Sequence, residues 1–268
     1  MSSSEFICRY AAGERDLVAI PVFPSRAFRH SCIVVNSSII SKPSDLNGKK
    51  IGVQVYTMTA AVWVRGILQD AGVDLSTITW VEGDLVQPGS HGKAMPKPLL
   101  RPIERVPNQS PKSLSQLLED GEIAATVGAH APPCLGHAPH IQRLFPNIRE
   151  TEKGYYQRTG IFPIMHLVVI KSDIVEQHPF VPRSIFQAMN ESKNMALRSM
   201  RFLSTYRYML PFLTSDIDEI DLLFGGDPWP YGVESNRTAL EALVNLLYEQ
   251  AMISRKIAID EIFVGSYE

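Results

Sequence analysis

No stretch of this chain approaches the ~20 consecutive apolar residues needed to cross a bilayer. Its opening Met1-Ser-Ser-Ser-Glu-Phe6 has no basic segment leading into an apolar one. No membrane partner and no secretion signal are therefore expected, and the expected location is cytoplasmic. An excess of one charge sign is also lacking: 26 Lys and Arg stand against 28 Asp and Glu, a net −2. That leaves no electrostatic footprint for nucleic acid, so any ligand-binding charge must be local. Cysteine is scarce. Cys8, Cys32 and Cys134 are odd in number and scattered, which argues for reduced thiols serving as small buried hydrophobes. They lack metal-ligand spacing, and the run His130, His137, His140 resembles a metal tract only loosely. No metal is expected. The P-loop, nucleophile-elbow, dinucleotide-binding and His-Glu-x-x-His patterns are all missing. Phosphoryl transfer, acyl transfer from such an elbow and nicotinamide redox chemistry lose support accordingly.

What is present is an ordinary globular composition, 268 residues with 45% hydrophobic and 20% charged, enough for two cores of moderate size. Residues 4–14 read as the end of a helix, and Val18 to Phe23 as a buried strand stopped by its prolines. The stretch 31–40 alternates toward β. Lys49 to Val55 reads as a strand that passes into an amphipathic helix over 56–72, and 77–81 as a further strand, a strand–helix–strand unit that implies a parallel sheet. Residues 86–112 are proline-rich and aperiodic, the mark of a functional or mobile loop. A helix over 113–120, strands over 123–127 and 160–170, and helices over 173–178, 182–206, 216–223, 235–253 and 258–263 complete the pattern. The expected class is α/β in two lobes, residues 1–40 with 161–268 and residues 41–160. Segments near 31–40 and 160–170 would cross between them and enclose a ligand cleft.

Several residues could work in such a cleft. Arg26, Arg29 and His30 follow the first strand, where guanidinium forks suit carboxylates. Tyr56, Thr57 and Thr59 stand at a strand-to-helix turn; either threonine can cap the helix, whose free N–H groups favour an anion. Arg65, farther along, reads as a surface or interlobe ion pair. His166 lies in an apolar strand, either as a core residue or as a proton donor to the cleft, and His30 has similar standing. Asp227 and Tyr231, in the rigid Gly226-Asp-Pro-Trp-Pro-Tyr-Gly232 loop, could close over a ligand, with Trp229 stapling that loop to the helices.

The stretches Val18-Ala-Ile-Pro-Val-Phe-Pro-Ser-Arg-Ala-Phe-Arg-His-Ser31, Tyr56-Thr-Met-Thr-Ala-Ala-Val-Trp-Val-Arg-Gly66, Arg143-Leu-Phe-Pro146, Thr159-Gly-Ile-Phe-Pro-Ile-Met-His166 and Gly226-Asp-Pro-Trp-Pro-Tyr-Gly-Val-Glu234 resemble the 4,5-dihydroxyphthalate decarboxylase family, relatives of type II periplasmic solute-binding proteins. The resemblance implies a hinged two-lobe type II periplasmic-binding-protein-like fold and non-oxidative loss of CO2 from a hydroxylated aromatic acid by ring protonation. The partner is then a small aromatic carboxylate, and no cofactor is called for. His166 and His30 are the candidate catalytic residues. Arg26, Arg29, Tyr56, Thr57, Thr59, Asp227 and Tyr231 are the candidate substrate-binding ones. The sequence departs from the family at Ala124-Ala125, where an acidic residue is expected, and at His130, where arginine is. The resemblance also implies a βαβα stretch ahead of the first strand, so lobe I reads as incomplete, with an apolar edge that favours a homo-oligomer. The alternative function is a non-catalytic solute-binding-like protein for a small aromatic or carboxylate ligand.

Overall fold

A computed structural model describes residues 1–92, 99–202 and 204–265. Two sheets organise them. In the smaller, β1 (Leu17–Arg26) pairs antiparallel with β8 (Ile164–Lys171). The larger has six strands in the order β5-β4-β3-β6-β2-β7. They are β2 (Val34–Asn36), β3 (Lys50–Val53), β4 (Thr79–Glu82), β5 (Arg105–Pro107), β6 (Ala125–Val127) and β7 (Ile141–Arg143). As the strand–helix–strand pattern required, β3 is parallel to β4; it is also parallel to β6, while β2 runs antiparallel to β6 and β7.

Helix α1 (Ser3–Ala11) precedes β1, and α2 (Thr59–Asp70) joins β3 to β4. Helices α3 (Leu114–Glu119) and α4 (Ile148–Thr159) flank the larger sheet, and the carboxyl-terminal part is helical: α5 (Ser172–Gln177), α6 (Val181–Met200), α7 (Leu213–Phe224), α8 (Arg237–Glu249) and α9 (Ile259–Ile262). One apolar core lies between α1, β1, β8 and α8, with Phe6, Phe23, Ile164, Leu243 and Leu247 at its centre. A second covers one face of the six-stranded sheet through Ile51, Val53, Leu68 and Trp80. A third, on the other face, joins Val34 and Val81 to Leu114 and Leu118 of α3.

The structure corrects several expectations. The first strand does not stop at Phe23. Pairing with β8 breaks between Ile20 and Ser25, resumes at Ser25–His166 and continues to Arg26, so Pro21 and Pro24 sit where the ladder is interrupted and no N–H is demanded of them. The helix over 56–72 is not amphipathic: every residue from Thr59 to Leu68 is buried, because it serves both of the first two cores. Arg65 is consequently not at the surface, and it has no ion pair among the described residues. It is fully buried, donates to Gln250 Oε1 at 2.7 Å and to the Tyr56 carbonyl at 2.8 Å, and lies 3.7 Å from the Tyr56 ring centroid. Of the proline-rich segment, residues 93–98 fall outside the described residues, and the segment also contains β5. The second helix of the carboxyl-terminal part, α6, ends at Met200 rather than at 206. Cys8, Cys32 and Cys134 are buried and form no disulfide among the described residues.

Candidate active site

The carboxyl ends of β3, β4 and β6 share one edge of the larger sheet, where open α/β sheets hold ligands. Because β2 is antiparallel, its beginning lies at that same edge and brings Arg29 there. Arg29 is half-buried and donates from Nη1 to the Ala129 carbonyl, just after β6, at 2.9 Å. Its Nε contacts Met165 Sδ at 3.3 Å, which places it beside His166 of β8. Burial, then the amino-terminal ammonium, then Arg29 hold His166 below the ordinary histidine value. The His166 backbone in turn bridges to Ser2.

Here the expected cap fails. Residue Met58, with no side-chain cap bond, begins α2, and Thr59 is its first helical residue. The Thr59 hydroxyl is taken instead by the start of α1: it accepts from the Ser4 N–H at 3.1 Å and lies 2.8 and 2.9 Å from the hydroxyls of Ser2 and Ser4. The Ser4 hydroxyl also donates to the Thr57 carbonyl at 3.2 Å. Two helix amino ends thus meet at one knot of hydroxyls, each bringing a partial positive charge. A Cβ built on Gly128, whose φ of +153° favours glycine, would lie 3.4 Å from Gln54 Oε1 and 3.9 Å from Met58 Sδ. Chain neighbours and these contacts together link Thr59, Ser2, His166, Met165, Arg29, Ala129, Gly128 and Met58 in a circuit. It carries hydrogen-bond donors, one guanidinium and the exposed His166 imidazole, the equipment for holding an anion and delivering a proton.

No protein-family model matches the chain. A curated relative from Comamonas testosteroni named 4,5-dihydroxyphthalate decarboxylase is 36% identical over 267 residues, 98% of this chain and 80% of its own length.

The chain belongs to the 4,5-dihydroxyphthalate decarboxylase family.

A second relative of that name, from Pseudomonas putida, is 37% identical over 163 residues, 59% of this chain and 62% of the relative. Among solved structures, the alkanesulfonate-binding protein SsuA from Xanthomonas axonopodis pv. citri, bound to MOPS, superposes with a TM-score of 0.53 at 13% identity, covering 97% of this chain and 78% of that one. The periplasmic aliphatic sulphonate binding protein SsuA from Escherichia coli gives 0.53 at 15% identity, covering 100% and 75%. These likenesses show that this decarboxylase-family chain has the type II periplasmic-binding-protein fold. Among its described residues no helix is long and apolar enough to cross a membrane, and no group of three or more His, Cys, Asp or Glu is placed to hold a metal ion.

The other expected site residues of this family member lie apart from the circuit. Arg26 is buried, donates to the carbonyls of Phe162 at 3.3 Å and Pro230 at 3.2 Å, and is hydrogen-bonded to Asn236 Oδ1. Desolvation lowers its pKa to about 10. It lines a 310 Å³ cavity with Tyr156, Phe162, Phe224 and Asp227. Asp227 pairs with Lys193 Nζ at 2.5 Å, and that ammonium lies 5.1 Å from the Tyr231 ring. Trp229 staples this loop to β1 rather than to a helix, donating to the Phe23 carbonyl at 2.8 Å. His30 sits in a separate 180 Å³ cavity with Phe145, Tyr155 and Arg158, and burial pushes it down to about 4. Tyr56 is buried against Trp80 and Arg65, and its N–H donates to Glu82 Oε1 at 2.8 Å. Ser2, Ser4 and Gln54 escaped the sequence reading. A run of serines just before Glu5 and Phe6 was the available signal for a helix cap facing the site; nothing distinguished Gln54.

Proposed function

We propose that this chain removes CO2 without oxidation from a hydroxylated aromatic carboxylic acid like 4,5-dihydroxyphthalate. The observation that carries the reading is the 36% identity to a protein of that name across 98% of the chain. The circuit around Arg29, Thr59 and His166 supplies groups the reaction needs. A ring carboxylate leaves when the carbon bearing it is protonated, and a hydroxyl para to that carbon feeds electrons to it. Arg29 and the paired starts of α1 and α2 hold the carboxylate side of the substrate. The His166 imidazolium protonates the ring carbon; the C–C bond then breaks and its electron pair restores the aromatic ring. The part built on β1 and β8 forms one lobe and the six-stranded sheet the other; β2 belongs to that sheet, which takes residues 34–36 out of the expected 1–40 portion. Closure of the two excludes water from the reacting carbon. Arg26, Asp227 and Tyr231 act as a brace for the loop at 226–232, and His30 as a buried support behind Arg29, outside substrate contact. The setting is the cytoplasm, where the three cysteine thiols stay reduced, and self-association of the chain is part of this reading.

The test is incubation of the purified chain with 4,5-dihydroxyphthalate, following CO2 and the loss of one carboxylate by NMR. Stoichiometric CO2 is the expected result. Saturable binding with no CO2 would move the chain to the solute-binding alternative.

A further inference from the structure

The loop after β4 holds a dyad that the steps above leave unused. Asp84 Oδ2 lies 2.5 Å from His91 Nδ1. The Asp84 carboxylate also accepts the N–H groups of Val86 at 2.8 Å and Gln87 at 3.0 Å. These donors, Gln87 first and then the His91 ring and Val86, hold Asp84 down at about 2, so it stays a carboxylate at any working pH. A carboxylate on Nδ1 fixes the tautomer with the proton there and the lone pair on Nε2, which makes that nitrogen the basic one. With Nδ1 committed to Asp84, only Nε2 of the two ring nitrogens near Gln54 Nε2, at 3.1 and 3.2 Å, can accept that amide's N–H, which anchors the ring to the carboxyl end of β3. The other end of that amide, Gln54 Oε1, is buried with no hydrogen-bond partner among the described residues. It faces Gly128, the same glycine that Met58 Sδ approaches. Gln54 therefore links the dyad directly to the circuit around Arg29 and His166.

We propose that His91, positioned by Asp84, is the base that takes the proton of the substrate's ring hydroxyl, which displaces the Gln54 amide from Nε2. The inference rests on the decarboxylase reading and deepens it. Ring protonation needs a second proton transfer at the far side of the ring, because the para hydroxyl donates electrons best as phenolate. His91 Nε2 takes the hydroxyl proton and becomes imidazolium. The phenolate oxygen pushes its electron pair into the ring, whose carboxyl-bearing carbon takes a proton from His166, giving a keto intermediate. Breaking the C–C bond releases CO2 and returns the pair to the ring and then to the oxygen, which recovers its proton from His91. The net change is one proton consumed per CO2, resupplied to His166 from solvent. Acid and base so come from opposite sheets, β8 for His166 and the loop after β4 for His91.

Two measurements on the full chain test this. In His91→Gln, kcat with 4,5-dihydroxyphthalate is expected to fall at least about 100-fold with KM within threefold, and added imidazole to restore part of it. Independently of turnover, the His91 ring is observed by 15N NMR while the wild-type chain is titrated with 3,4-dihydroxybenzoate, the acid left after one carboxylate is lost, and with benzoate. The dihydroxy acid is expected to shift the Nε2 resonance and benzoate to leave it in place; Asp84→Asn is expected to mix the two tautomers. A kcat within threefold of wild type in His91→Gln, or an Nε2 signal unmoved by saturating 3,4-dihydroxybenzoate, overturns the assignment. A wild-type chain that releases no CO2 instead refutes the decarboxylase reading, and the NMR titration still decides whether His91 meets the hydroxyl.

Discussion

Protonating His30 should cost this fold a measurable share of its stability. The ring is 3% exposed, its Nδ1 has no hydrogen-bond partner among the described residues, and its neighbours are the rings of Phe145 and Tyr155 at 5.5 and 5.0 Å. Desolvation, with Arg158 adding to it, pushes the ring from its ordinary 6.5 to about 4. The unfolded chain therefore takes up this proton first. Stability from His30 is complete above pH ~6.5 and is lost as pH falls toward 4. Between pH 7 and 4.5 the loss amounts to about 2 kcal/mol. Glu152, whose Oε1 stands 4.0 Å from Nδ1, is raised by burial and works in the opposite sense; a comparison against His30→Phe keeps it in both proteins. Urea unfolding followed by tryptophan fluorescence at the two pH values gives the difference. Wild type should lose about 2 kcal/mol more than His30→Phe over that interval. Equal losses in the two proteins would refute the reasoning.

Three further outcomes follow from named contacts. Gly66→Ala places a Cβ 2.8 Å from Leu246 Cδ2 at the crossing of α2 and α8, and should lower stability by about 1–3 kcal/mol in chemical denaturation. Asn236→Ala removes an acceptor from the buried Arg26 guanidinium, with an expected loss of about 2–3 kcal/mol by the same assay. His166→Asn should reduce kcat at least about 100-fold. With His166 held below its ordinary value and needed as imidazolium, wild-type kcat/KM should rise as pH falls from 8 through 6.5, and this limb should be absent in the variant's residual rate.

The fold was legible where the chain repeats a period. Ile51 to Val53, the helix after it and the strand at Thr79–Glu82 declared a parallel unit through alternation followed by a compact apolar run. The short strands β5 and β7, three residues each, have no room for a period, and α4 fully buries only Tyr155, so its apolar signal is weak. The site was legible in part. His166 and Thr59 are brought near each other by Ser2, a contact between residues 164 and 57 positions apart that local sequence does not encode. Arg26 and His30 look alike in sequence to Arg29, yet one is spent on carbonyls and the other on an apolar cavity. Which of three neighbouring polar residues reaches the circuit depends on where the irregularity in β1 aims them, and that is set by the partner strand.

Helix α2 lends Ala60, Val62 and Trp63 to the core beneath the two-stranded sheet and Ala61, Val64, Ile67 and Leu68 to the core on the six-stranded one. Melting either half must strip this shared rod of its lining, so neither half has an inexpensive route to unravel alone. Calorimetry should accordingly record one transition for the whole chain, and a ligand gripped at the rod's first turn would shift that single peak as a unit.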